Sequence, residues 1–125
     1  MKKIILTKEA PAPIGPYSQA VQAGPYLFCS GQIPLDLQGN IIGTTVSEQA
    51  EQVMKNITAV LKQADYKFSD IVKTTIFLTD MNDFAKVNEV YAKSFKENPP
   101  ARSTVAVAGL PKGVKVEIEI LAYRA

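Results

Sequence analysis

Arg102, within Pro99-Pro100-Ala101-Arg102-Ser103-Thr104, is a cation at the entry to a strand whose approach the prolines restrict. A rigidly placed guanidinium is a good clamp for a carboxylate, because its planar fork donates parallel hydrogen bonds to both oxygens. Spacing alone favours the plainer reading, a solvated charge at a strand end. Glu117 and Glu119 lie on one face of the last strand, opposite the apolar Val116, Ile118 and Ile120. If a neighbouring subunit covers that face, a carboxylate becomes partly buried; desolvation then raises its pKa and fits it to hold or activate water. Left uncovered, the same pair is the charged face of an edge strand.

Asn88 falls between Phe84 and Tyr91 on what reads as the apolar stripe of a helix. A buried amide there needs a hydrogen-bond partner, which ordinary backbone can supply. In Cys29-Ser30-Gly31, glycine permits close backbone approach and serine offers both donor and acceptor, although a simple bulge explains the tripeptide equally well. Cys29 reads as a small core residue, since no activating base is near it in sequence. Tyr17, after Gly15-Pro16, is either an aromatic anchor or the first packed residue of a strand.

The elements that position these residues belong to one domain spanning residues 1–125. Apolar residues make up 46% and charged residues 21%, an ordinary globular balance. The net charge of +2 is scattered, which leaves no footprint for nucleic acid. Met1-Lys2-Lys3-Ile4-Ile5-Leu6 is too short an apolar stretch for a secretory signal, and no run approaches the ~20 residues that cross a bilayer. A soluble, cytoplasmic protein without a membrane partner is expected. No histidine and a single cysteine exclude Ser-His and Cys-His pairs and a His/Cys zinc cluster. The glycines form no phosphate-binding motif, so neither metal nor cofactor is expected.

The spacing predicts a strand at Ile4-Thr7, a proline-rich loop over 10–16, and strands Tyr17-Ala23 and Tyr26-Gln32 split by Gly24-Pro25. A polar loop over Asp36-Gly43 follows. Ala50, Val53, Met54, Ile57, Val60, Leu61 and Ala64 make the clearest helical stripe, with Thr45 and Glu48 as a capping box ahead of it. Next come a strand at Ile71-Thr79, apolar on both faces, and a helix at Asn82-Lys96 capped by Asp80 and stopped by Pro99-Pro100. Strands Ser103-Ala108 and Val114-Tyr123 read as a closing hairpin. Ile71 and Phe77 are expected on one face of their strand, with Val72, Ile76 and Leu78 on the other. Two helices cannot cover both faces of such a sheet, so the mixed α+β domain is expected to bury the remaining face in a homo-oligomer.

Together, Pro13-Ile14-Gly15-Pro16-Tyr17-Ser18-Gln19-Ala20, Ser30-Gly31-Gln32-Ile33-Pro34, Asn88-Glu89-Val90-Tyr91, Pro100-Ala101-Arg102-Ser103 and Val116-Glu117-Ile118-Glu119 closely resemble the Rid family of reactive-intermediate deaminases. The resemblance implies a chorismate-mutase-like mixed sheet with both helices on one face, assembled as a homotrimer with sites between subunits. It further implies hydrolysis of enamines and imines such as 2-aminoacrylate, released by pyridoxal-phosphate enzymes, to 2-keto acids and ammonia. Arg102 would bind the substrate carboxylate and Glu117 would position water. Tyr17, Ser30, Gly31 and Asn88 would line the pocket, with backbone near Gly31 and Thr104 holding the substrate nitrogen. Thr104 departs from the cysteine common among deaminating members; a backbone contact survives that change, whereas a side-chain contact does not. Two other readings stand beside this one. A non-catalytic trimer sensing small carboxylates uses the same Arg102 without needing Glu117. RNA cleavage, attributed to some relatives, finds no histidine and no basic stripe here.

Overall fold

The stripe that begins at Val46 builds the longest element, α1 (Val46–Ala64), in a computed structural model that describes residues 1–125. Its capping box forms as the spacing predicts: Glu48 N donates to Thr45 Oγ1 at 3.2 Å, and Thr45 N donates to Glu48 Oε1 at 3.1 Å. Val53, Ile57, Val60 and Leu61 are fully buried against the sheet. The helix stops at Asp65, which takes a left-handed conformation with φ of 62°.

Six strands make one mixed sheet: β1 (Lys2–Ile5), β2 (Ala20–Ala23), β3 (Tyr26–Gln32), β4 (Ile71–Leu78), β5 (Ala101–Ala106) and β6 (Val116–Tyr123). Their order is β1-β2-β3-β6-β4-β5; β4 and β5 run parallel, and the other pairs are antiparallel. The second helix, α2 (Phe84–Ala92), is the crossover between the parallel strands. The two helices pack on one face, as expected. No helix is long and apolar enough to cross a membrane.

The predicted hairpin of the last two strands does not form, because β4 lies between them. Inward side chains explain the choice. β6 turns Val116, Ile118, Ile120 and Ala122 inward, all at most 4% exposed, and such a strand gains most from a central position. β5 offers Arg102 and Thr104 on that face and takes the edge.

A second correction concerns β4. Its register against β6 shifts between Ile71 and Lys73, so the strand's alternation changes phase at Val72. Ile71 therefore joins Ile76 and Leu78 in the core at 4% exposure or less, while Val72 is 44% exposed on the opposite face.

Several boundaries also move. β1 ends before Thr7, and β2 starts at Ala20 rather than Tyr17. The cause is Gln19, whose side chain accepts from Thr7 N and donates to Thr7 O and Pro11 O, drawing the chain into a loop. α2 is shorter than predicted, with a 3-10 turn over Met81–Asp83 ahead of it and Asp80 Oδ1 accepting from Asn82 N. β5 begins at Ala101, which puts Arg102 inside the strand, and β6 begins at Val116.

The face away from the helices carries Tyr26, Phe28, Val72, Val105 and Tyr123, each more than 40% exposed, with Phe77 and Leu121 half-buried among them. That uncovered band is the surface from which an oligomer is expected.

Candidate active site

Glu117 points from β6 onto this open face, opposite Phe77 of β4. Its neighbour on β3 is a bulge: the β3–β6 register shifts between Cys29 and Gln32, leaving Ser30 and Gly31 out of the regular ladder. Gly31 is glycine for a steric reason. A Cβ built there would come within 1.9 Å of Glu117 Oε2, so the carboxylate lies directly over the backbone. Ser30 ties the bulge down, its Oγ donating to Ser18 O at 2.6 Å and its N donating to Gln19 O at 2.9 Å.

Gln19 holds the proline-rich loop from the other side, and Tyr17 of that loop accepts a hydrogen bond from Ile14 N at its hydroxyl. A cleft of about 470 Å³ results, lined by Tyr17, Ser30, Gly31, Glu117 and Glu119 with Ile14, Ile33 and Pro111. Burial pushes the Glu117 carboxyl above the usual carboxylate range, and Glu119 pushes it in the same direction. Such a group exchanges protons at a pH closer to neutral than an exposed glutamate does.

Arg102 is elsewhere. It pairs in register with Thr74, a core residue, and so projects toward the helices at the outer edge of the sheet. Its Nη1 donates to Asn88 Oδ1 at 2.8 Å, so the amide that the helical stripe left unexplained is a side-chain partner for the guanidinium. The Arg102 guanidinium carbon lies 5.4 Å from the centre of the Phe84 ring and 5.1 Å from that of Tyr91. Thr104, two residues along β5, buries its Oγ1 with no hydrogen-bond partner. With the hydroxyl turned inward, the groups of Thr104 left to face a ligand are those of its backbone.

Within one chain the predicted residues therefore form two groups. Tyr17, Ser30, Gly31 and Glu117 line one cleft, and Arg102 and Asn88 bond to each other on the opposite face, near Thr104. Arg102 and Glu117 do not meet in the same subunit, since β4 stands between their strands. Cys29 is buried, and burial pushes its thiol up to about 12, which suits a core residue rather than a nucleophile.

Phe84, Tyr91 and Gln19 were not singled out by sequence reasoning as parts of the site. An amide flanked by aromatics at helical spacing was the available signal for the first two. Gln19 gave none, because it sat inside what read as a strand.

The chain resembles known proteins over its whole length. The sequence profile of a family described as Endoribonuclease L-PSP matches residues 7–124. A RutC family protein of Pyrococcus horikoshii is 53% identical over 125 residues, covering 99% of both chains. A Salmonella typhimurium protein named 2-iminobutanoate/2-iminopropanoate deaminase is 50% identical over 127 residues, again covering 99% of both. A solved Yersinia pestis protein of the conserved Rid protein family superposes with a TM-score of 0.96 at 49% identity, over 99% of this chain and 100% of that one. With profile, sequence and fold in agreement from one end to the other, the chain belongs to the endoribonuclease L-PSP family that it shares with these RutC and Rid relatives.

Proposed function

We propose that the protein is an imine deaminase of the 2-iminobutanoate/2-iminopropanoate type, working as a cytoplasmic homotrimer whose sites lie between subunits. The observation that carries the reading is the pair of half-sites. A desolvated carboxylate over a glycine backbone and an aromatic-held guanidinium face different ways in one chain, so a neighbouring copy can supply each with what it lacks. The name of the Salmonella relative supports the same activity.

The chemistry asks little of the protein. An enamine such as 2-aminoacrylate tautomerises to an imine whose carbon is already electrophilic, so orientation and charge suffice without a metal or cofactor. Arg102 of one subunit binds the carboxylate of the substrate. Glu117 of the adjacent subunit holds a water and accepts its proton as the oxygen attacks the imine carbon. The resulting carbinolamine takes that proton back on nitrogen and expels ammonia, leaving the 2-keto acid. Tyr17, Ser30, Gly31 and Asn88 line the site, and backbone at Gly31 and Thr104 holds the nitrogen.

Subunit mixing tests both the roles and the arrangement. Arg102→Ala and Glu117→Gln are each expected to be inactive when a threonine dehydratase supplies the imine and keto-acid release is followed. Unfolded and refolded together, they should regain about one quarter of wild-type activity, because random assembly places both intact groups at that share of interfaces in a closed ring. No recovery from well-folded mixed oligomers would overturn the shared site. A wild type that binds small carboxylates but never accelerates release would instead make the protein a sensor.

A further inference from the structure

Arg102 has no anion in its own chain, yet it is held closely. The ion pairs of the chain are Lys93–Glu51 and Arg124–Asp65, both elsewhere. What surrounds Arg102 is one stripe of α2, where Phe84, Asn88 and Tyr91 follow one another at helical spacings and all touch the guanidinium. The Tyr91 ring is itself fixed. Its hydroxyl lies 2.8 Å from Thr74 Oγ1 in a buried pair, and Thr74 is the register neighbour of Arg102 across β4 and β5. Phe84, by contrast, sits at the surface with 37% of its area exposed. Helix formation does not call for a phenyl ring there, since leucine has the better propensity. Attraction between the ring and a cation does.

The geometry also divides up the guanidinium. Arginine carries five donors; Asn88 takes one at Nη1, and the rings pack against the group, leaving the remaining donors for a planar acceptor. We infer that Phe84 and Tyr91 are positioning residues for Arg102: the two rings, the second locked by Thr74, hold the guanidinium in one orientation so that a substrate carboxylate meets donors already aligned. This rests on the deaminase reading for the identity of the ligand, but the clamp itself requires only a small carboxylate.

Titration of the full-length protein with 2-oxobutanoate, the keto acid that hydrolysis of 2-iminobutanoate releases, separates positioning from mere folding. Partial unfolding lowers the binding stoichiometry and leaves Kd alone; loss of positioning raises Kd. Phe84→Leu is expected to raise Kd by about two- to fivefold, while Phe84→Trp keeps the wild-type value or tightens it. Tyr91→Phe, which keeps the ring, should change Kd less than Phe84→Leu does. An unchanged Kd in Phe84→Leu, with binding abolished in Arg102→Ala, would overturn the inference. Keto-acid release run alongside keeps the two ideas apart: wild-type binding with no turnover sinks the deaminase reading, and the Phe84 series then decides the clamp unaided.

Discussion

The Glu117 cleft and the Arg102 clamp occupy opposite faces of one sheet and are built by opposite means. The cleft is largely main chain: a bulge at Ser30 and Gly31, a loop gathered by Gln19, and a carboxylate resting on glycine. The clamp is side chain throughout, with its geometry set by which residues share one stripe of α2. A site built from backbone tolerates most substitutions except where an added atom would collide, whereas one built from side chains depends on each identity. The bond between the two is a second copy of the chain.

The largest effect is expected at the clamp. Arg102→Ala should lower keto-acid release by about 10³-fold while circular dichroism and Tm stay near wild type, because a substrate carboxylate loses its charge-assisted donors and no core contact is lost. Equal loss of structure and activity would break the distinction between ligand binding and packing.

Next is the carboxylate of the cleft. Glu117→Gln should cost about 10²-fold in rate, in the range of a lost general base. Wild-type rate should climb with pH as Glu117 ionises, at a pH above the usual carboxylate range, and the variant should lose that rise. Stability follows the opposite course. A folded pKa above the unfolded one means that the folded state binds the proton more tightly, so this group's contribution is complete below the unfolded pKa and lost as pH rises through the folded one. Glu117→Gln should flatten that decline in denaturant titrations across the acid range.

Gln19→Leu probes the scaffold of the cleft alone. It strands the buried Thr7 amide and frees the carbonyls of Thr7 and Pro11, and should cost about 2 kcal/mol by urea unfolding. Binding of 2-oxobutanoate at the clamp should weaken less than the scaffold does. Gly31→Ala is the smallest and sharpest test. Its methyl must displace the end of the Glu117 side chain, so activity should fall about tenfold with little change in Tm. Full activity would show that the carboxylate does not work from above Gly31.

How far the sequence could be read depended on whether information was local. The stripe of α1, its Thr45–Glu48 box and the inward set of β6 are periodic patterns within one segment, and all were legible. The family resemblance supplied the separated site residues. Strand order was not legible, since two neighbouring strands in sequence look like a hairpin whether or not a third inserts between them. That one error hid the environment of Arg102, because its partners on α2 follow from the parallel pairing of β4 and β5. The facing of Ile71 failed for a different reason: a bulge at Val72 leaves no compositional mark.

The central position of β6 also bears on synthesis. A ribosome delivers residues 116–123 after every other strand, yet β3 and β4 meet only through them. Until that segment emerges, the nascent polypeptide carries two ladders with raw margins and a half-roofed interior, the condition in which chains adhere to one another. Closure of the fold is therefore a late event in translation, and chaperone occupancy of stalled nascent chains should fall steeply once β6 clears the exit tunnel.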